Sequence, residues 1–179
     1  GEEAEPVAAR LGAMVTASGG VWRRVPTGEP PSDPGGVGLL VGVGEPHREY
    51  VDTWQRDGTP HLVLRLTEGR VVIGPFVLPG STACLRCVDA HHTDLDPAWP
   101  LLVEQYATAT ARPRDDTLPE PVDALLATLG AAWAVRELMS HLEGRTPATA
   151  STTITLDAHL TSLESQTWAR HPGCGCTWG

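Results

Sequence analysis

The sequence predicts an α/β fold: a partial doubly wound, mostly parallel sheet with flanking helices, a C-terminal antiparallel hairpin and a four-cysteine zinc site. An apolar run at residues 37–44 is typical of a buried parallel strand. A helical pattern at about residues 45–56 and a strand pattern from residue 61 follow it, which gives the order of a strand–helix–strand unit. Two close cysteine pairs lie far apart in the chain and predict one metal site that joins them.

The first 36 residues predict a helix, a short strand and a loop. Pro6 suits the first position of a helix, apolar residues recur at helical spacing as far as Val15, and two glycines from residue 19 end the pattern. Residues 21–25, VWRRV, predict a brief strand. Residues 26–36 are dense in proline and glycine and predict a surface loop.

The middle of the chain predicts two strands joined by a turn at Glu68 and Gly69. The first of these strands alternates, which predicts a buried face of Leu62, Leu64 and Leu66. A helical turn is expected at residues 87–92, a helix at 99–108 and an exposed loop at 111–120. Asp94 and Asp96 are interpreted as a helix cap or turn rather than a metal or substrate pair, because aspartate close before proline more often has that role.

The last third of the chain predicts its longest helix and then a hairpin. The helix is expected at residues 121–143, with Gly144 as its C-terminal stop and an alanine-rich middle that permits close packing on a sheet. An antiparallel hairpin around residues 157–160 then carries the last two cysteines back towards the first two. The apolar stripe predicted to face the core is Val122, Leu125, Leu126, Leu129, Trp133, Leu138 and Leu142.

The four cysteines, Cys84, Cys87, Cys174 and Cys176, are the candidate metal ligands. Four thiolates suit a closed tetrahedral zinc site, which is structural because no coordination position stays open for water. Reversible disulfides and unligated thiols are the alternatives, and His91, His92 and His171 are spare candidate ligands. A thioredoxin-like motif would follow a first strand and would need no second pair. The N-terminal residues show no basic segment before an apolar run, so we predict a cytoplasmic protein.

Composition excludes several functions. The formal net charge of −9 makes nucleic acid or an anionic membrane a poor partner, and no apolar run approaches the roughly 18 residues of a membrane span. All thirteen basic residues are arginine, which excludes a Walker-type lysine, a Schiff base and a lysine general base. The glycines at 36, 38, 42 and 44 do not match a dinucleotide-binding loop, and Glu45 would repel phosphate, so we expect only a tight turn there.

The segment GPFVLPGSTACLRCVDAHHTDLDPAWP, the long alanine-rich helix, the hairpin and the terminal HPGCGC together resemble ThiF-like proteins from about residue 37 to residue 178. These proteins share the fold of ubiquitin-activating adenylyltransferases. The resemblance is to the branch found in thiazole/oxazole-modified peptide biosynthesis, whose members partner a YcaO-type cyclodehydratase. It implies one ThiF-like domain at 1–179 that lacks the N-terminal leader-binding module of that branch.

This resemblance implies a scaffold rather than an enzyme. Adenylating members carry a glycine-rich ATP loop, an aspartate on the following strand and basic residues for the triphosphate, and none of these is matched here. We therefore expect no catalytic residue, no bound ATP, and structural zinc as the cofactor. The expected partners are a YcaO-type cyclodehydratase and a precursor peptide, and the chain is expected to form a homodimer. The alternatives are an ATP-dependent adenylyltransferase, distinguished by ATP–pyrophosphate exchange, and a thiol-redox protein, distinguished by reversible oxidation of Cys84 with Cys87.

Overall fold

A computed structural model describes residues 4–25, 29, 35–111 and 123–177, in which five strands form one mixed sheet in sequence order. The strands are β1 (Gly38–Val43), β2 (His61–Thr67), β3 (Arg70–Val77), β4 (Thr152–Leu156) and β5 (Leu163–Thr167). The helices are α1 (Glu5–Ala17), α2 (Glu49–Arg56), α3 (Leu85–Leu95), α4 (Trp99–Ala111) and α5 (Ala124–Leu142).

The predicted strand–helix–strand unit is confirmed, because β1 and β2 pair in parallel with α2 between them. The prediction of a mostly parallel sheet is wrong, since β2–β3, β3–β4 and β4–β5 all pair antiparallel. The reason is the connection: β2 returns directly into β3 through Glu68 and Gly69, both with positive φ, whereas a parallel neighbour needs a long crossover. Within the described residues β1 lies at the edge of the sheet and not at its centre.

Residues 21–25 form no strand, which corrects a second expectation. Trp22 lies instead against α1, so close that a Cβ atom on Gly12 would be 2.7 Å from Trp22 Cδ1. The segment therefore packs on a helix and does not join the sheet. The loop predicted at 111–120 and the helix start predicted at 121 lie outside the described residues, except for the last helical residue of α4.

The core has two sides because helices cover both faces of the sheet. The predicted face of Leu62, Leu64 and Leu66 is fully buried against α1 and α5. The opposite face is buried as well, where Val63 joins a cluster from α2 and the start of α3. Strand β2 thus has both faces buried, as is typical of strands between two helical layers.

Helix α5 lies on the sheet with its small residues inwards. A Cβ atom on Gly130 would be 2.4 Å from Val71 Cγ1, so only a face without bulky side chains can approach this closely. The predicted leucine stripe is therefore partly wrong: Leu126 and Leu138 are buried, but Leu125 is 77 % exposed. Leu129 and Leu142 are exposed as well, and the buried positions between them are Ala127, Gly130, Ala131, Ala134 and Val135.

One buried polar side chain in β2 predicts a pH dependence of stability. His61 is fully buried, and burial lowers the pKa of its ring to about 4, although the ring donates a hydrogen bond from Nδ1 to the Thr59 carbonyl. The unfolded chain takes up this proton below about pH 6.5, while the folded chain resists it until about pH 4. The resulting stability is complete above the unfolded pKa and is lost as the pH falls towards the folded one.

The unfolding free energy of the unsubstituted chain is expected to fall between about pH 7 and pH 4, and His61 accounts for about 3 kcal/mol of that fall. In His61→Gln this contribution should be absent. Urea unfolding at both pH values measures it. His159→Gln, on the exposed turn between β4 and β5, is the matched control and keeps the pH dependence of the unsubstituted chain. Equal pH dependence in the two variants would contradict the assignment.

The candidate metal centre

The first cysteine pair is positioned by the N-terminus of α3. Cys84 is the residue before the helix, in an extended conformation, and Cys87 lies in the first turn, where its backbone N–H bonds to the Cys84 carbonyl. The loop that leads from β3 into this helix is fastened to the start of β4, because the Ala83 N–H donates to Ser151 Oγ at 2.9 Å. This hydrogen bond thus links the start of α3 to the hairpin of β4 and β5.

The second pair is delivered by the C-terminal hairpin. After β5 the Trp168 N–H donates to the Ser151 carbonyl, and the Trp168 side chain packs against the cysteines. A turn follows in which the Cys174 N–H donates to the His171 carbonyl, and a short 3₁₀ helix (Gly175–Thr177) contains the last cysteine. The hairpin predicted to return this segment to the first pair is confirmed.

The four sulfur atoms converge as expected from the sequence. The Sγ atoms of Cys84 and Cys87 are 3.8 Å apart, those of Cys84 and Cys174 3.6 Å, and those of Cys87 and Cys176 3.3 Å. All four lie within 4.8 Å of one another, and none is in a disulfide. A tetrahedron with metal–sulfur bonds of about 2.3 Å separates its sulfurs by roughly 3.8 Å, so this cluster fits a metal ion.

The protonation of these thiols shows what a cation would change. The hydrogen bond that Cys84 donates to Cys87 raises the pKa of Cys84 and lowers that of Cys87 to about 4, and burial raises the pKa of Cys176 to about 12. Metal ions bind thiolates rather than thiols, so a cation held by these four residues would compete with protons and its binding would strengthen as the pH rises.

A second group of candidate ligands lies beside the cysteines. His91 and Asp94 of α3 and His171 of the C-terminal segment place one ligand atom each within 4.8 Å of the others. His92 is not in this group, and its ring lies against the Trp99 ring instead, with 4.3 Å between the centroids. Asp96 accepts from the Ala98 N–H, which confirms its turn role, but Asp94 bonds to His171 instead. Spacing alone did not signal that contact, because the two residues are far apart in the chain.

The glycine turn after β1 is packed against helix α4. Gly44 has φ of 77°, and a Cβ atom there would be 2.3 Å from Thr110 Cγ2 of α4. The Glu45 carboxylate follows directly and pairs with the guanidinium groups of Arg48 and Arg65. A carboxylate at this position opposes phosphate binding. This ion-pair network was not predicted from the sequence.

Together these features define an α/β protein with one mixed sheet and a cluster of four cysteines. No protein-family model matches the chain, and no curated protein sequence matches it. Solved structures do share its fold. The Escherichia coli protein MccB with succinimide superposes with a TM-score of 0.57 at 15 % identity, over 80 % of this chain and 39 % of MccB. The microcin C7 biosynthetic enzyme MccB in complex with N-formylated MccA gives 0.55 at 16 % identity, over 79 % of this chain and 40 % of that one.

The heterocyclase TruD is a further structure of this fold. It superposes with a TM-score of 0.67 at 17 % identity, over 97 % of this chain and 25 % of TruD. At such identities the likeness shows a shared fold, and it confirms the predicted ThiF-like resemblance at that level. The chain spans about two fifths of MccB and a quarter of TruD. Within the described residues no helix is long and apolar enough to cross a bilayer.

Proposed function

We propose that this chain is a zinc-stabilised ThiF-like scaffold that docks a YcaO-type cyclodehydratase during azoline and azole formation on a ribosomal peptide. The convergence of Cys84, Cys87, Cys174 and Cys176 carries the proposal, because it joins the two segments on which the resemblance to the azole-pathway branch depends. The shared fold with the heterocyclase TruD and with the microcin C7 biosynthetic enzyme MccB supports the same direction.

The donor set supports zinc. Soft thiolate ligands in a tetrahedral arrangement select zinc or iron–sulfur clusters, and the sulfur separations suit a single ion. Four protein ligands fill the shell of that ion, so it would stabilise the fold without acting on a substrate. Four thiols that form no disulfide also suit a reducing compartment, which supports a cytoplasmic location.

The turn after β1 supports a scaffold without its own ATP site. Backbone N–H groups that bind phosphate need a free approach, whereas Gly44 is closed by Thr110 and Glu45 adds a negative charge. With no lysine in the chain, the triphosphate would have only arginine as a counter-charge. We therefore assign ATP use to the YcaO-type partner and propose that this chain contributes docking, to that partner and to the peptide, as a homodimer.

The test combines a metal assay with reconstitution. Untagged protein is expected to contain about one zinc per chain, which is released only when the four thiols are modified. Mixed with the YcaO-type cyclodehydratase of the same organism, it should form a complex by light scattering and raise the rate of water loss from the precursor peptide. ATP–pyrophosphate exchange by this chain alone would favour the adenylyltransferase instead, and reversible oxidation of Cys84 with Cys87 in metal-free protein would favour a redox role.

A further inference from the structure

We propose that His91, Asp94 and His171 form a second metal site, open to solvent, that binds a divalent transition-metal ion such as Zn²⁺, Co²⁺ or Ni²⁺. One ligand atom of each residue lies within 4.8 Å of the other two. This site is separate from the four cysteines and does not depend on the scaffold role. It is the one other group of this kind among the described residues.

The backbone brings these three side chains together from two directions. His91 and Asp94 are three residues apart on α3 and so lie on one face of the helix. His171 approaches from the segment after β5, and its Nε2 lies 3.0 Å from an Asp94 carboxylate oxygen. The imidazole rings of His91 and His171 are perpendicular, with centroids 4.9 Å apart. Two nitrogen donors and one oxygen donor therefore face one small volume.

One ring nitrogen of His91 is held by the backbone. Its Nε2 lies 2.9 Å from the Ala169 carbonyl oxygen, which can only accept, so this nitrogen carries the proton. The remaining nitrogen keeps its lone pair. Metal-binding histidines commonly have this arrangement, in which a backbone carbonyl fixes the tautomer and the ring orientation. The Trp168 ring, 5.9 Å from the His91 ring, packs beside it.

His171 must change tautomer to bind a cation. Its Nδ1 accepts from the Gly173 N–H at 3.0 Å, so its Nε2 now holds a proton that is donated to Asp94. A metal at Nε2 takes the place of that proton, Nδ1 carries it instead, and the Gly173 N–H, on an exposed residue, is left to water. The ring holds one proton before and after this exchange, so the proton count balances.

The ligands select the class of ion. Imidazole with one carboxylate suits zinc, nickel, cobalt and copper rather than calcium or magnesium, which prefer oxygen ligands. Three protein ligands leave coordination positions for water or for a donor group of a bound molecule, unlike the closed shell of the cysteines. The Asp94 side chain is 66 % exposed, so this ion exchanges with solvent. The acidic chain, with a formal net charge of −9, favours cations at its surface.

The experiment uses untagged full-length chain, dialysed so that only the tightly held metal remains, and titrates it with Co²⁺ alone. We expect one further Co²⁺ per chain by calorimetry, with a visible spectrum that lacks the strong thiolate-to-cobalt charge-transfer band. Asp94→Asn is the decisive variant, because its amide oxygen still accepts from His171 and keeps the contact between α3 and the C-terminal segment. It should weaken Co²⁺ binding at least about tenfold, and His91→Gln should do the same.

His159→Gln is the matched control, because this histidine is exposed on the hairpin turn away from the cluster, and it should leave Co²⁺ binding unchanged. The content of tightly held metal should be the same in every variant, which separates this site from the cysteines. No Co²⁺ uptake, uptake with a thiolate band, or equal binding by Asp94→Asn and the unsubstituted chain would overturn the proposal and leave His171 and Asp94 as a structural contact only.

Discussion

Removal of the metal that we propose for the four-cysteine cluster should lower the thermal unfolding midpoint of this protein by about 10 °C or more. An ion that binds only the folded chain stabilises it by about 4 kcal/mol when its free concentration is a thousandfold above Kd. In a domain of this size about 1 kcal/mol shifts the midpoint by roughly 2–4 °C. The loss of stability is expected to affect the C-terminal hairpin and α3 together, because the cysteines fasten one to the other.

Calorimetry before and after treatment with a strong chelator measures this effect. The variant Cys174→Ser is the internal control. Its thermal unfolding midpoint should already be as low as that of the metal-free protein, and the chelator should not change it further. The effect should also depend on pH: as the pH falls, protons compete for the thiolates and the midpoint of the metal-bound protein approaches that of the metal-free one. A chelator that leaves the unsubstituted midpoint unchanged would show that the thiols hold no stabilising ion.

Local patterns in the sequence predicted the elements near the metal centre well. Signals within a few residues predicted the hairpin around residues 157–160 and the strands on either side of Glu68. The close spacing within each cysteine pair, together with the chemistry of thiols, predicted the convergence of Cys84 with Cys174. The parallel pairing of β1 with β2 followed in the same way from the helix between them. The sequence therefore predicted those features that depend on a short segment or on a set of metal ligands.

Pairing between distant segments was predicted less well. Residues 21–25 were expected to form a brief strand, but Trp22 packs against α1 instead. The leucine spacing in α5 indicated the wrong face, because the closeness of the sheet at Gly130 and Val71 decides which residues turn inwards. The contact of Asp94 with His171 joins residues 77 apart in the chain, and no local pattern can reveal it.

Arg48→Met is expected to destabilise the protein by about 3–5 kcal/mol, since it breaks a buried ion pair and leaves the Asp89 carboxylate without its guanidinium partner. The Arg48 side chain is 8 % exposed, and it donates two hydrogen bonds to Asp89, at 2.7 and 2.8 Å, and one to Glu45 at 2.8 Å. Burial alone would raise the pKa of Asp89, but the hydrogen bonds and charge of Arg48 hold it below its ordinary value.

The sign of the pH dependence follows from that shift. A carboxylate with a depressed folded pKa stabilises the protein above its unfolded pKa, and this stability is lost as the pH falls through the folded pKa. The difference in unfolding free energy between Arg48→Met and the unsubstituted chain should therefore narrow as the pH falls, because without Arg48 burial raises the pKa of Asp89 and this carboxylate is protonated first in the variant. Urea unfolding at several pH values measures it, and adding Asp89→Asn to Arg48→Met should recover part of the loss.

Arg86→Met is the matched control for Arg48→Met, because Arg86 makes a similar two-bond pair with Asp52 but its side chain is 52 % exposed. It should cost less than about 1 kcal/mol. Equal losses in the two variants would show that burial does not decide the strength of these pairs. The expected contrast matters for function, since Arg48 and Arg65 lie beside the turn after β1 with their charges directed to Glu45 and Asp89. Arginines held by protein carboxylates in this way have their charges engaged within the protein and are less available to a triphosphate.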